Sequence, residues 1–172
     1  MNLSLSMLGW LHTLCCLYAM WIGARVAFSF KGGQQHRARG KRYVMASIVL
    51  NLTALGIYTV DGFRIFHAMA LVTLASVLLA FAAARWKRPQ GAWLRVHLTA
   101  IIFSYYMLWG GAVNEAFLRV HVLKALPYAN AAMGIAHTLL MVLLLVYVGY
   151  CWGKTARSPV ASGAGQPVAT IF

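Results

Sequence analysis

Six histidines, His12, His36, His67, His97, His121 and His137, are the residues of this 172-residue chain best equipped for chemistry. Neutral imidazole binds haem iron, zinc and copper. Three of the six stand at similar distances from clusters of Lys and Arg. On a helical rise of ~1.5 Å per residue, His12 lies roughly 28 Å from Lys31, His67 roughly 27 Å from Arg85, and His137 roughly 25 Å from Lys154. Asn114 and Glu115, measured from Arg95, reach roughly 28 to 30 Å. A cross-helix pair of imidazoles, His67 with either His12 or His137, would clamp a b-type haem iron from both faces. Asn114 or Tyr58 would then hydrogen-bond behind the ligands. Alternatively, His12, His67, His137 and Glu115 together make a His-rich site with an oxygen ligand, suited to a single zinc or copper ion.

These residues also have plainer uses. A histidine near a membrane interface can hydrogen-bond to water, headgroups or a neighbouring helix. No HxxxH or CxxCH motif places two ligands on one helix. Glu115 and Arg119 have the i,i+4 spacing of a helical ion pair, and Asp61 suits a helix cap. Arg25 is close enough to a basic end to snorkel. Cys15, Cys16 and Cys151 are odd in number and lack CxxC spacing, which fits small packed residues rather than disulfides or a zinc site. The sequence has no phosphate loop, nucleophile elbow or carboxylate dyad, so hydrolytic catalysis has no support in it.

The elements that carry these residues follow from composition. Hydrophobic residues make up 62% of the chain and charged residues 10%, against roughly 25% charged in soluble domains. The apolar residues come in blocks near the ~20 residues that a helix needs to cross a bilayer, without the alternation of barrel strands. The blocks predict an all-α integral membrane bundle of five transmembrane helices, at about 3–30, 43–60, 64–84, 96–118 and 129–152. Residues 1–152 form this single bundle, and 153–172, rich in Gly, Ser, Ala and Pro, a flexible cytoplasmic tail. The run Lys31 to Arg42 reads as a loop, and Asp61 to Arg64 as the tight link of a helical hairpin. Nothing basic precedes the first block, so it reads as a retained helix rather than a signal peptide.

Charge placement sets the orientation. Lys31, Arg37, Arg39, Lys41, Arg42, Arg85, Lys87, Arg88, Arg95, Lys154 and Arg157 fall on one side, and only Arg64, Arg119 and Lys124 on the other. The positive-inside rule puts the first group in the cytoplasm, with the N-terminus outside. The net charge of +13 therefore reports topology and attraction to anionic lipid headgroups. No aromatic-interleaved basic groove points to a nucleic-acid partner.

The run LHTLCCLYAMWIGA, containing His12, and the basic run from His36 through Arg37, Gly40 and Lys41 to Tyr43 resemble a family of bacterial predicted multi-pass membrane proteins of unknown function. That family carries a histidine in its first helix and an HRxxGxxY-like motif at the start of the second. FRIFHAMALVTLASVLLAFAAAR, with His67, is similar to the family's third helix, and the likeness covers roughly residues 3–119. Where the family often has a histidine before the Trp of the next loop, this chain has Gln90 near Trp93. The resemblance implies a compact bundle in the bacterial inner membrane and no particular activity; in outline such a bundle is similar to membrane b-type cytochromes.

Three functions are therefore expected from the sequence, in this order. The first is a small inner-membrane redox protein that binds one haem b near the outer face and passes electrons between the quinone pool or a protein partner and an outside acceptor. The second is a non-catalytic accessory subunit of a larger membrane complex. The third is a transition-metal-binding or transport protein.

Overall fold

The computed structural model describes residues 7–29, 31–57 and 65–156. Six helices run along them: α1 (Met7–Ala27), α2 (Gln34–Gly56), α3 (Ile65–Trp86), α4 (Trp93–Arg119), the single turn α5 (His121–Lys124) and α6 (Ala129–Ala156). There is no strand among the described residues. Four of the helices, α1, α3, α4 and α6, are long and apolar enough to cross a membrane, and the chain is an all-helical membrane protein. Tyr58, Asp61 and Arg64, and the tail from Arg157, lie outside the described residues.

Two boundaries differ from the apolar pattern. The run Lys31 to Arg42 is not all loop, because α2 begins at Gln34 and carries QQHRARGKR as its first turns. Gln, Arg, Ala and Lys are good helix formers, so backbone propensity extends the helix past the point where hydrophobicity ends. The start of the expected tail is likewise helical as far as Ala156. Between α3 and α4 the break falls where Pro89 and Gly91 predict it. The Pro89 carbonyl accepts hydrogen bonds from the amides of Ala92 and Trp93, at 3.1 and 2.8 Å, and Gly91 takes φ +77°, open to a residue without Cβ.

Around the bundle α1 packs on α2, α2 on α3, α3 on α4, and α4 back on α1, while α6 lies against the outer flank of α4. The end of α1, the first turn of α2, the start of α4 and the end of α6 meet at one, basic end of this bundle, with Lys31, His36, Arg95 and Lys154, whereas Arg119 and Lys124 follow the other end of α4. Helix α2 supplies seven buried residues, Tyr43, Val44, Ala46, Ser47, Leu50, Asn51 and Thr53, and three of them are polar. None of residues 129–155 is buried. A tight core joins Ala19 and Ile22 of α1 to Tyr43, Ala46 and Leu50 of α2 and Leu108 of α4.

Lipid tails are as apolar as leucine, so burial alone does not drive such helices together; close packing and interhelical hydrogen bonds do. At the α1–α2–α4 junction the Tyr105 hydroxyl donates to the Met20 carbonyl at 3.0 Å. Ser104 spends its one hydroxyl proton on the Ile101 carbonyl, at 2.8 Å, so Tyr43 is the donor in the 3.0 Å contact between their hydroxyls. The two tyrosine rings meet edge-on with centroids 6.1 Å apart. Gly23 makes this possible: a Cβ there would lie 2.5 Å from the Tyr105 ring and 3.1 Å from Tyr43. Gly23→Ala should therefore destabilise the bundle by about 1–3 kcal/mol through overpacking. Gly134→Ala, where a Cβ meets nothing within 4 Å, should leave the detergent melting temperature unchanged or raise it. Equal melting of the two variants would refute this account of the junction.

Candidate functional site

His12, His67 and His137 stand in the first halves of α1, α3 and α6. Two of the rings are held by neighbouring helices. His12 Nδ1 lies 3.1 Å from the Leu50 carbonyl and 3.2 Å from Thr53 Oγ1. A carbonyl only accepts, so Nδ1 carries the proton and Nε2 keeps its lone pair. His137 Nε2 donates to Asn114 Oδ1 at 2.9 Å, and its ring closes over Gly110, whose absent Cβ would sit 3.4 Å from His137 Cε1. His67 is buried, 6% exposed, on α3. Glu115 pairs with Arg119 on the exposed end of α4, as the i,i+4 spacing predicts, and both lie within Coulombic reach of His12.

Among the described residues no three His, Cys, Asp or Glu side chains converge closely enough to hold a metal ion. The similar depth of the three histidines is thus not by itself a common cavity. What His12 and His137 do share is a job: each ties its helix to another, α1 to α2 and α6 to α4. His97 does the same at the basic end, its Nδ1 donating to the Ala80 carbonyl across α4 and α3 at 2.8 Å. Each bond satisfies a ring nitrogen where water is scarce, and an unsatisfied one would cost several kcal/mol there.

A second group of ionisable residues escaped sequence reasoning. Because α2 starts at Gln34, His36 is carried on its first turn toward His97 and Lys31 rather than left in a loop. Lys31 Nζ donates to the Val26 and Ala27 carbonyls at 2.6 and 2.7 Å, placing a cation on the negative end of α1. The Tyr147 hydroxyl also reaches the Ala27 carbonyl, at 3.5 Å, and brings α6 to the same point. Trp152 Nε1 donates to Thr99 Oγ1 at 3.1 Å, and Arg95 stands 5.8 Å from the Trp152 ring centroid. His36 Nδ1 is buried and has no hydrogen-bond partner. Burial, with the charges of Lys31 and His97 behind it, pushes His36 down to about 4. The helix-forming composition of residues 34–42 was the available signal for this cluster.

No protein-family model, curated protein or solved structure matches this chain.

The low value at His36 has a consequence for stability. A histidine that titrates near 6.5 when unfolded and about 4 when folded binds its proton more readily in the unfolded chain. Its contribution is complete above pH 6.5 and is lost as the pH falls toward 4. The detergent melting temperature of the wild type should decline over that window, and His36→Gln should flatten the decline. An unchanged slope in the variant would show that His36 is not the group responsible.

Proposed function

We propose that this chain is a non-catalytic accessory subunit of a larger membrane complex. In this reading it crosses a bacterial inner membrane five times, with its N-terminus outside and its C-terminus in the cytoplasm. The part of α2 from about Tyr43 onward is the fifth span, and its first turns, with His36 and Arg42, stand on the cytoplasmic side. Its polar residues face the bundle interior rather than lipid, so it needs less apolar surface than the other four. The resemblance of His12 and the His36 to Tyr43 run to a bacterial membrane family belongs to the same proposal.

One observation carries the subunit reading: α6 spends glycine on a face that the bundle does not use. Gly134, Gly149 and Gly153 are exposed, and a Cβ on any of them meets nothing within 4 Å. Gly in a helix interior costs about 1 kcal/mol relative to Ala. Gly23, Gly56 and Gly110 offset that cost by admitting Tyr105, Leu8 and His137, whereas those of α6, like Gly40 of α2 and Gly111 of α4, admit nothing from this chain. Gly149 and Gly153 form a GxxxG pair, and Gly134 with the exposed Thr138 forms a second small-xxx-small pair. Such spacing lets another transmembrane helix approach the backbone closely.

Native mass measured after extraction from the host membrane into nanodiscs tests the proposal. The wild type should travel at a fixed mass well above the 18.9 kDa chain, and Gly149→Leu with Gly153→Leu should release it as a folded monomer. A wild type found only as a monomer would sink the reading.

The His12 geometry favours a second reading, the haem protein. A ring whose Nδ1–H is fixed on a carbonyl and whose Nε2 lone pair is available has the tautomer of an axial haem ligand. His137 has already committed Nε2 to Asn114, so His12 is the better partner for His67. Reduced-minus-oxidised visible spectra of protein expressed with ample haem distinguish the readings. A b-type band near one haem per chain, lost in His67→Ala, would put redox function first, and a flat spectrum would leave the subunit reading in place.

A further inference from the structure

A groove of about 400 Å³ runs between α1 and α2 on the outside of the bundle. Leu14 and Tyr18 line it from α1, and Met45, Ala46 and Val49 from α2, with Arg42 at its basic end. From Arg42 to Val49 the groove extends roughly 10 Å along α2. That is about a third of the ~30 Å thickness of a hydrocarbon core. It therefore offers an apolar channel inside the membrane with a single cation at its mouth.

We propose that this groove is a binding site for one anionic glycerophospholipid, with an acyl chain lying along Leu14, Met45 and Val49 and the phosphate on the Arg42 guanidinium. Of the neighbouring cations, Lys31, Arg37 and Arg39 are already engaged, and Lys41, which is exposed, does not line the groove. Lys31 caps α1, Arg37 Nε donates to the Gly32 carbonyl at 3.3 Å, and Arg39 donates to Gln35 Oε1 at 3.2 Å. Arg42 is exposed and makes no hydrogen bond or ion pair with any described residue. Its five donors are free for a phosphate, which guanidinium binds through two parallel hydrogen bonds. The small side chain of Ala46 gives the floor on the α2 side, and the bulkier Leu14, Tyr18 and Met45 stand exposed around it. A quinone or an uncharged partner helix would use the apolar walls but would leave the Arg42 charge uncompensated. An acidic phospholipid fits both parts. The site is separate from the α6 face and does not depend on the subunit reading.

Native mass spectrometry of the full chain, released from micelles doped with either phosphatidylglycerol or phosphatidylcholine, reads lipid retention directly. One phosphatidylglycerol per chain should survive activation that strips phosphatidylcholine. Arg42→Ala should reduce its retention about fivefold, the factor corresponding to the ~1 kcal/mol that one basic residue contributes near an anionic surface. Arg42→Lys should restore part of the loss, and Arg88→Ala, which removes the same charge from the α3–α4 turn, should change nothing. Equal retention of the two lipids would overturn the proposal, as would loss of phosphatidylglycerol from Arg88→Ala to the same degree as from Arg42→Ala. Circular dichroism confirms that each variant is folded. Arg42 is exposed, so its replacement leaves the core intact.

Discussion

Hydrogen bonds between helices, formed where no water competes for the donor, are the interactions on which the rest of this bundle depends. A soluble helical protein is held together mainly by moving apolar surface out of water. Here lipid replaces water, and that gain is absent once the helices are inserted. The bundle instead uses small residues to bring backbones close and places a polar side chain on a neighbouring carbonyl or hydroxyl. Tyr105 on Met20, Tyr43 on Ser104, His12 on Leu50, His97 on Ala80 and His137 on Asn114 join each of the five long helices to at least one other.

This constraint explains why the most polar long helix is also the best buried. Helix α2 carries Ser47, Asn51 and Thr53 in its buried face. Asn51 Nδ2 and Thr53 Oγ1 satisfy themselves on carbonyls one turn back, at 2.7 and 2.9 Å. A helix with these residues facing lipid would leave polar groups against hydrocarbon. Between α1 and α3 they are shielded, and the outward face of α2 is left to apolar residues such as Met45 and Leu52. The inverse holds for α6, whose apolar side chains are suited to lipid or to another helix and whose packing within this chain rests on one flank.

The same constraint bears on the histidines. In water a histidine without an obvious partner attracts little notice, whereas in a membrane interior its ring nitrogens need partners. That need draws imidazole to structural clasps and to cofactors alike, which is why residue type and depth alone could not separate the two. The tautomers imposed by Leu50, Ala80 and Asn114 carry more information, because they show which nitrogen of each ring is already committed.

Composition and block length determined the all-helical membrane class, the approximate positions of the helices, the break at Pro89 and Gly91 and the pairing of Glu115 with Arg119. These are properties of one segment or of residues a turn apart, and they survive without knowledge of the neighbours. Tertiary structure decided the rest. It brought His36 to His97 and Lys31, assigned His12 to α2 and His137 to α4, and left the small residues of α6 facing outward. Each of these depends on how a helix is rotated about its axis and on which neighbour meets it, and an apolar sequence surrounded by lipid carries almost no amphipathic signal from which that rotation can be read.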